Sequence, residues 1–414
     1  MLSQLSDRIP AAVNRQMPNR IYFKLSWLLY PVFFALVFSF NFHALWLVYD
    51  LIAVSLLFHY TFSNRKVISS LQRVLLFLVL GYCSVLVFLN GHLLMGFLSV
   101  WDTYKHLIFI VLVISVFKYP YNDNLFIFAK NMYRLIFITL IIQVAVVLVQ
   151  FQSGVFFDSI AGTFGDGGSH AIGYFSLLSI MAAIAHKENL RVIIPLLGLT
   201  SLINILSENA GYFALLFFLV FGLTFSGALV NRIKPIHALY AIMFFVVLFG
   251  ASETTLYSEK PFSEIVLGRL MDVVSGGTEG SVGRGSIALL ASSIGGWFGY
   301  GPGAFSDIYL MDGYDSYMVL GEQINISEYT HLLAESGIVG FILSLVIYFI
   351  FITKLFQSLR YKLIAGGVFI ACMFYSAVLM NESQFFMLLL LMLFLACHER
   401  NVRFDQTVNI LRHK

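Results

Sequence analysis

Twelve stretches of fifteen or more mostly apolar residues follow one another along the chain, at 24–41, 45–62, 74–90, 106–120, 135–151, 171–186, 192–206, 211–229, 237–251, 332–353, 363–380 and 384–398. Nothing else in the sequence constrains the fold as much. A helix needs about 20 apolar residues to cross the hydrocarbon core of a bilayer, and only helices or closed barrels satisfy their backbone there. Several stretches are shorter than that, so the count is about twelve, good to one pair. Hydrophobic residues make up 59% of the 414, charged residues only 11%, against about 25% charge in an ordinary soluble domain. The expected fold class is an all-α polytopic membrane protein with about 12 transmembrane helices.

Lys and Arg near span ends stay on the cytoplasmic side, which gives an independent test of the spans. With both termini inside, all but four of the 25 basic residues fall in cytoplasmic segments; the exceptions are Lys105, Lys260, Arg269 and Arg284. A wrong span parity would scatter that bias. The formal net charge is only +3 and its basic residues flank the spans, which excludes nucleic-acid binding as a main role. Cys83, Cys372 and Cys397 each sit in an apolar run without a Cys/His cluster, so neither a disulfide framework nor a zinc site is indicated. The first twenty residues lack an apolar core with a small-residue cleavage site, and the first span is expected to act as the targeting signal.

The chain divides at its one long hydrophilic interruption. Residues 1–251 carry nine spans, 252–331 form a large outer loop, 332–398 carry three more spans, and 399–414 form a cytoplasmic tail. Three of the four outer cations lie in that loop, with ten of the 22 acidic residues. A loop of this length is more than a connector. Residues 261–274 read as an amphipathic helix, and a second helix is expected from about Gly283 to Gly295-Gly296, with Arg284 in its first turn. A helix N-terminus with a cation suits phosphate or pyrophosphate, although Arg284 could equally pair with a neighbouring acid. Gly299-Tyr300-Gly301-Pro302-Gly303 reads first as a tight turn and secondarily as a phosphate cradle. No GxxxxGK[ST] motif is present, so nucleotide hydrolysis is not supported.

The loop ends in a sequence expected to run straight into the tenth span. At 100° per residue, Glu328, His331 and Glu335 fall within about 60° of one another and form one polar stripe at the mouth of an apolar helix. Such groups are paired or functional, and the stripe could supply a general base. Glu328 could instead close a capping box with Asn325, and His331 could bond a nearby carbonyl. Gly337 and Gly340 are expected to permit close helix packing.

Arg284 followed by Gly295, the Gly299–Phe305 turn, and Leu333-Ala334-Glu335-Ser336-Gly337-Ile338-Val339-Gly340 together resemble the Wzy-type O-antigen polymerase and O-antigen ligase superfamily. The resemblance covers roughly residues 269 to 340, and the topology agrees. Gly162-Thr163-Phe164-Gly165-Asp166 with Ser169-His170 resembles the family's earlier periplasmic segment less specifically. The resemblance implies a GT-C-like glycosyltransferase without metal or cofactor, in the bacterial inner membrane. It would act at the periplasmic face on undecaprenyl-pyrophosphate-linked oligosaccharide, among membrane lipids, with a chain-length-determining co-polymerase and a flippase as further partners.

Ligases of that superfamily typically carry a His-Asn pair where this chain has Ile326 and Ser327, and often a Ser-Arg pair where it reads Ser207-Glu208-Asn209. Both departures favour a polymerase over a ligase. A pyrophosphate leaving group without a metal needs cations. Arg284 is the first choice, with Arg269, Lys260 and Lys105, the last in a separate outer loop, as further candidates. Glu328 or His331 would deprotonate the attacking hydroxyl. Gly295, Gly301, Gly303, Tyr300, Tyr329, Glu335, Asp166 and His170 are the remaining substrate-binding candidates, and most of the loop aromatics could equally be interfacial anchors. A transporter or flippase of lipid-linked sugars is the rival class, but no internal repeat or chain of mid-membrane charges is visible.

Overall fold

The computed structural model describes residues 27–39, 43–62, 70–90, 93–117, 123–155, 160–164, 169–207, 209–225, 295–299, 301, 328–375 and 381–412. Every regular element among them is helical. Along the chain these are α1 (Leu29–Val37), α2 (His43–Phe62), α3 (Ser70–Asn90), α4 (Leu93–Phe117), α5 (Asp123–Gln152), a 3-10 turn (Gly162–Phe164) and α6 (Ser169–Ala185). There follow α7 (Leu190–Leu206), α8 (Ala210–Phe225), α9 (Glu328–Leu355), α10 (Leu359–Tyr375) and α11 (Glu382–Arg412). Each apolar stretch read from the sequence overlaps one of these helices, except 237–251, which lies outside the described residues. The expected loop helix at 261–274 and most of the one from Gly283 lie outside them too.

Among the described residues, three helical segments are long and apolar enough to cross a membrane: Phe128–Gln152 in α5, Leu332–Leu355 in α9 and Glu382–Arg403 in α11. The other apolar segments, such as His170–Ala185 and Leu190–Leu206, are shorter.

The bundle is built around α6 and α11, which share the largest helix–helix interface. Residues 171–185 of α6 and 383–399 of α11 are all buried. A helix that is apolar on every side belongs inside a bundle, and both sequences are of that kind. α4 is likewise buried on every side from Tyr104 to Ile114, whereas α5 and α8 bury one stripe each. In α5, Met132, Ile136, Leu140, Gln143 and Val147 face inward at helical spacing, while Ile138, Ile141 and Val149 face out. In α8 the buried stripe is Tyr212, Leu215, Leu219 and Leu223, with Phe217 and Phe221 outward. Such outward apolar faces suit a hydrocarbon surrounding. The three cysteines are free and buried.

The last helix runs on past the apolar stretch that ends at 398, and α11 continues to Arg412. The reason is that its polar residues are used inside the fold. The Glu399 carboxylate accepts the backbone N–H of Gln357 at 3.1 Å and of Ser358, the residues just ahead of α10. Asn401 donates from Nδ2 to the Ala185 carbonyl at 2.8 Å, at the C-terminus of α6. Helix ends leave backbone groups without intrahelical partners, and here one helix satisfies two others.

Candidate functional site

The helix expected to run without interruption into the membrane is broken at Gly337, where φ is 63° and ψ −171°. A break frees carbonyls before it and N–H groups after it, which must find other partners. The segment 295–301 supplies them. Gly301 donates its N–H to the Glu335 carbonyl at 2.8 Å, and the N–H groups of Ile338 and Val339 reach the carbonyls of Gly296 and Trp297, each at 3.1 Å. The Tyr82 hydroxyl, from α3, donates to the Ser336 carbonyl at 2.8 Å.

The glycines in this interlock are there for space and conformation. Gly337, Gly299 and Gly301 all have positive φ. A Cβ on Gly337 would come within 2.6 Å of the Phe298 nitrogen, one on Gly299 within 2.6 Å of the Gly337 nitrogen, and one on Gly295 would run into the Leu333 carbonyl. From sequence, Gly337 and Gly340 are a pair that lets two helices pack closely. In the fold, Gly337 is the point where an outer turn enters the helix, and Gly340 faces Ser336 of its own helix and Tyr82. The N–H groups of Gly299 and Gly301 are taken by Gly295 and Glu335, so these two do not point at a ligand.

Immediately beside the break lies a pocket between α3, α4 and α9. It is lined by Val79, Tyr82 and Cys83, by Val100 and Leu107, and by Leu332, Glu335, Ser336, Gly340, Leu343, Ser344, Ile347 and Tyr348. Most of the lining is apolar. Glu335, 4% exposed, is its carboxylic acid. Glu328, His331 and Glu335 share the uninterrupted helical segment ahead of Gly337, as the sequence spacing required, with Glu335 nearest the break. The side chains of Glu328, Tyr329 and His331 lie outside the described residues.

The sequence places Lys105 in an outer loop, free to meet a phosphate. It lies instead within α4, 2% exposed, because the helix begins at Leu93 and absorbs most of that loop. Its ammonium is 2.6 Å from Glu382 Oε1 of α11 and 3.2 Å from Asp50 Oδ1 of α2. Trp101 Nε1 donates to the same Asp50 oxygen at 3.1 Å. Next to it, the Tyr49 hydroxyl and His106 Nδ1 are 2.7 Å apart, and Tyr49 stacks on Phe109. A lysine set between two carboxylates is held in an ion network, which is a different arrangement from an open anion site.

The segment around Gly162 is also built in. Ile160 to Phe164 are buried, as a turn against α5. Thr163 donates its N–H to Gln143 Oε1 at 2.9 Å, and Gly162 donates its N–H to Gln150 Oε1 at 2.8 Å while its carbonyl accepts from Gln150 Nε2 at 3.1 Å. The Ser39 hydroxyl donates to the Phe164 carbonyl at 2.8 Å. Two glutamine amides thus stand in for a paired strand, the kind of satisfaction irregular backbone requires where water is scarce. His170 stands in the first turn of α6, half-buried.

Of the remaining sequence candidates, Lys260, Arg269, Arg284, Tyr300, Gly303 and Asp166 lie outside the described residues. The residues that sequence reasoning misses are Tyr82, Gln143 and Gln150. The two glutamines do leave a signal, since polar amides seven residues apart in an apolar stretch fall on one face of a helix. Tyr82 leaves none, because its partner is a main-chain carbonyl 254 residues away.

No known protein-family model matches this chain, and comparison with curated proteins finds none similar to it.

Proposed function

We propose that this protein is a membrane glycosyltransferase that polymerises undecaprenyl-pyrophosphate-linked oligosaccharide repeat units at the periplasmic face of the inner membrane. The observation that carries the reading is the interlock at Gly337. The resemblance to the O-antigen polymerase and ligase superfamily rests on Arg284 followed by Gly295, the Gly299–Phe305 turn and, about thirty residues on, Leu333–Gly340. In the fold Gly301 of the turn donates its N–H to the Glu335 carbonyl, and Gly296 and Trp297, just ahead of the turn, accept from Ile338 and Val339. Motifs of one site are expected to converge in this way, and they converge beside a pocket holding a buried carboxylate.

In this reading the chain crosses the membrane about twelve times with both termini cytoplasmic. Arg284, with Arg269 or Lys260, neutralises the charge that develops on the departing lipid pyrophosphate. The polar stripe of Glu328, His331 and Glu335 supplies the base that takes the proton of the acceptor hydroxyl. The acceptor hydroxyl attacks the anomeric carbon with inversion, and no metal takes part. Tyr300 and Tyr329 offer stacking faces, and Asp166 and His170 are further groups for the sugar hydroxyls.

The test is to supply purified protein with lipid-pyrophosphate-linked oligosaccharide in the presence of EDTA and no nucleotide sugar. A product ladder spaced by whole repeat units is expected. Transfer of a single glycan only when lipid A-core is added would make the protein a ligase, and no product in either assay would return the transporter reading to the front.

A further inference from the structure

We infer that Glu335, the carboxylate beside the Gly337 break, is the group that takes the proton from the acceptor hydroxyl, and that the pocket it lines receives the acceptor sugar. The inference rests on the glycosyltransferase reading above and assigns the base within it.

Position is the first argument. Glu335 is 4% exposed and lines the pocket, whereas Glu328 sits seven residues nearer the outer loop, about 10 Å along the helix axis. A general base works within hydrogen-bond reach of the proton it removes, in a site from which bulk water is excluded.

Rigidity is the second. The Glu335 carbonyl is held by Gly301 at 2.8 Å, the adjoining Ser336 carbonyl by Tyr82 at 2.8 Å, and the N–H groups of Ile338 and Val339 by the turn at 3.1 Å each. The main chain is therefore pinned on both sides of the Gly337 break by elements from elsewhere in the chain. Fixing a catalytic group before substrate arrives is how a fold lowers the entropic part of a barrier.

The third is the chemistry of the lining. Tyr82 and Tyr348 bring aromatic rings, Ser336 and Ser344 hydroxyls, Cys83 a thiol and Glu335 a carboxylate into one pocket whose remaining wall is largely aliphatic, with Val100 and Leu107. A ring with apolar C–H faces and hydroxyl edges matches that combination. In the reaction, the hydroxyl oxygen bonds to the anomeric carbon as its proton passes to the Glu335 carboxylate. The anomeric C–O bond breaks and its electron pair leaves on the pyrophosphate oxygen.

The experiment compares wild type, E335Q and E335A in the purified polymerisation assay, measuring kcat and KM separately and adding sodium formate to E335A. The expected result is a ladder from wild type, a kcat about 10²–10⁴-fold lower for E335Q with KM little changed, and recovery of E335A by formate, which supplies a carboxylate in the vacated space. A purely structural carboxylate would not be replaced by a free small acid. A full-rate E335Q, or an inactive E335A that formate does not revive, would overturn the assignment while the wild-type ladder leaves the polymerase reading standing. Absence of a ladder from wild type itself would remove both. Should E335Q fail to insert, E335D keeps the buried charge and carries the test: a lowered kcat at constant KM supports the base, and an unchanged kcat overturns it.

Discussion

The Lys105 ammonium lies 2.6 Å from Glu382 Oε1, a contact between residues 277 positions apart that joins α4 to the start of α11. Asp50, 3.2 Å from the same nitrogen, brings in α2. Three helices whose packing is otherwise largely apolar are thereby fixed in mutual register.

Replacing Lys105 by Met takes the cation from Glu382, which is largely buried, and from the partly exposed Asp50, and removing one partner of a buried ion network is destabilising, by about 3 kcal/mol. K105M is expected to lower the thermal unfolding temperature in detergent, and adding E382Q, which removes the orphaned charge, to recover part of the loss. An unchanged unfolding temperature for K105M would show that the network adds no stability.

Gly337→Ala asks an L-residue to adopt φ 63° and to place its Cβ against the Trp297–Gly299 backbone. With ψ at −171° this backbone region is essentially confined to glycine, and the conformation alone costs about 1–3 kcal/mol, to which the overlap adds. The variant is expected to expel the 295–301 turn and lose activity. Gly366→Ala is the control, since nothing lies within 4 Å of a Cβ there and the residue is inside α10, so it should be neutral or slightly stabilising. Protease sensitivity of the turn region distinguishes the two.

Gln143→Leu removes the acceptor of the Thr163 N–H and leaves buried backbone without a partner, a loss of about 1–3 kcal/mol. Hydrogen exchange at Gly162 and Thr163 should rise sharply. Ile136→Leu is the comparison, because it lies in the same buried stripe of α5 and keeps its volume, and exchange at the turn should then stay unaltered. Equal exchange in the two variants would mean that the glutamine amide does not hold the turn.

Glu399→Ala uncaps the start of α10 and releases Arg403, which lies 3.2 Å from that carboxylate and donates to Gln357 Oε1 at 2.6 Å. Cleavage between Phe356 and Ser358 is expected to become fast in the variant and to be slow in wild type. Equal rates would mean that packing alone holds the connection.

Arg284→Ala should abolish polymer with normal membrane insertion, as the cation assigned to the pyrophosphate has no neutral substitute. Polymer of normal length from that variant would remove Arg284 from the mechanism.

The helices are legible in the sequence because burial in a bundle or in lipid demands apolar side chains, so the position of α2, α3 or α10 follows from hydropathy alone. The shared face of Glu328, His331 and Glu335 is legible for a similar reason, since the helical period is a local property. What depends on distant partners is not. Lys105 reads as an outer-loop cation because its sequence neighbours are polar and aromatic, and only the approach of α2 and α11 turns it into the centre of an ion network. Gly337 reads as a packing glycine because a helix interior and a helix break share the same composition, and only the 295–301 turn, supplying main-chain partners from outside, makes the break possible. Which segments are helices was therefore written locally, as side-chain hydrophobicity and backbone period act over a few residues. Where the helix breaks, which charge meets which and which acid enters the pocket were settled on folding, because those follow from hydrogen bonds and ion pairs between residues far apart in the chain.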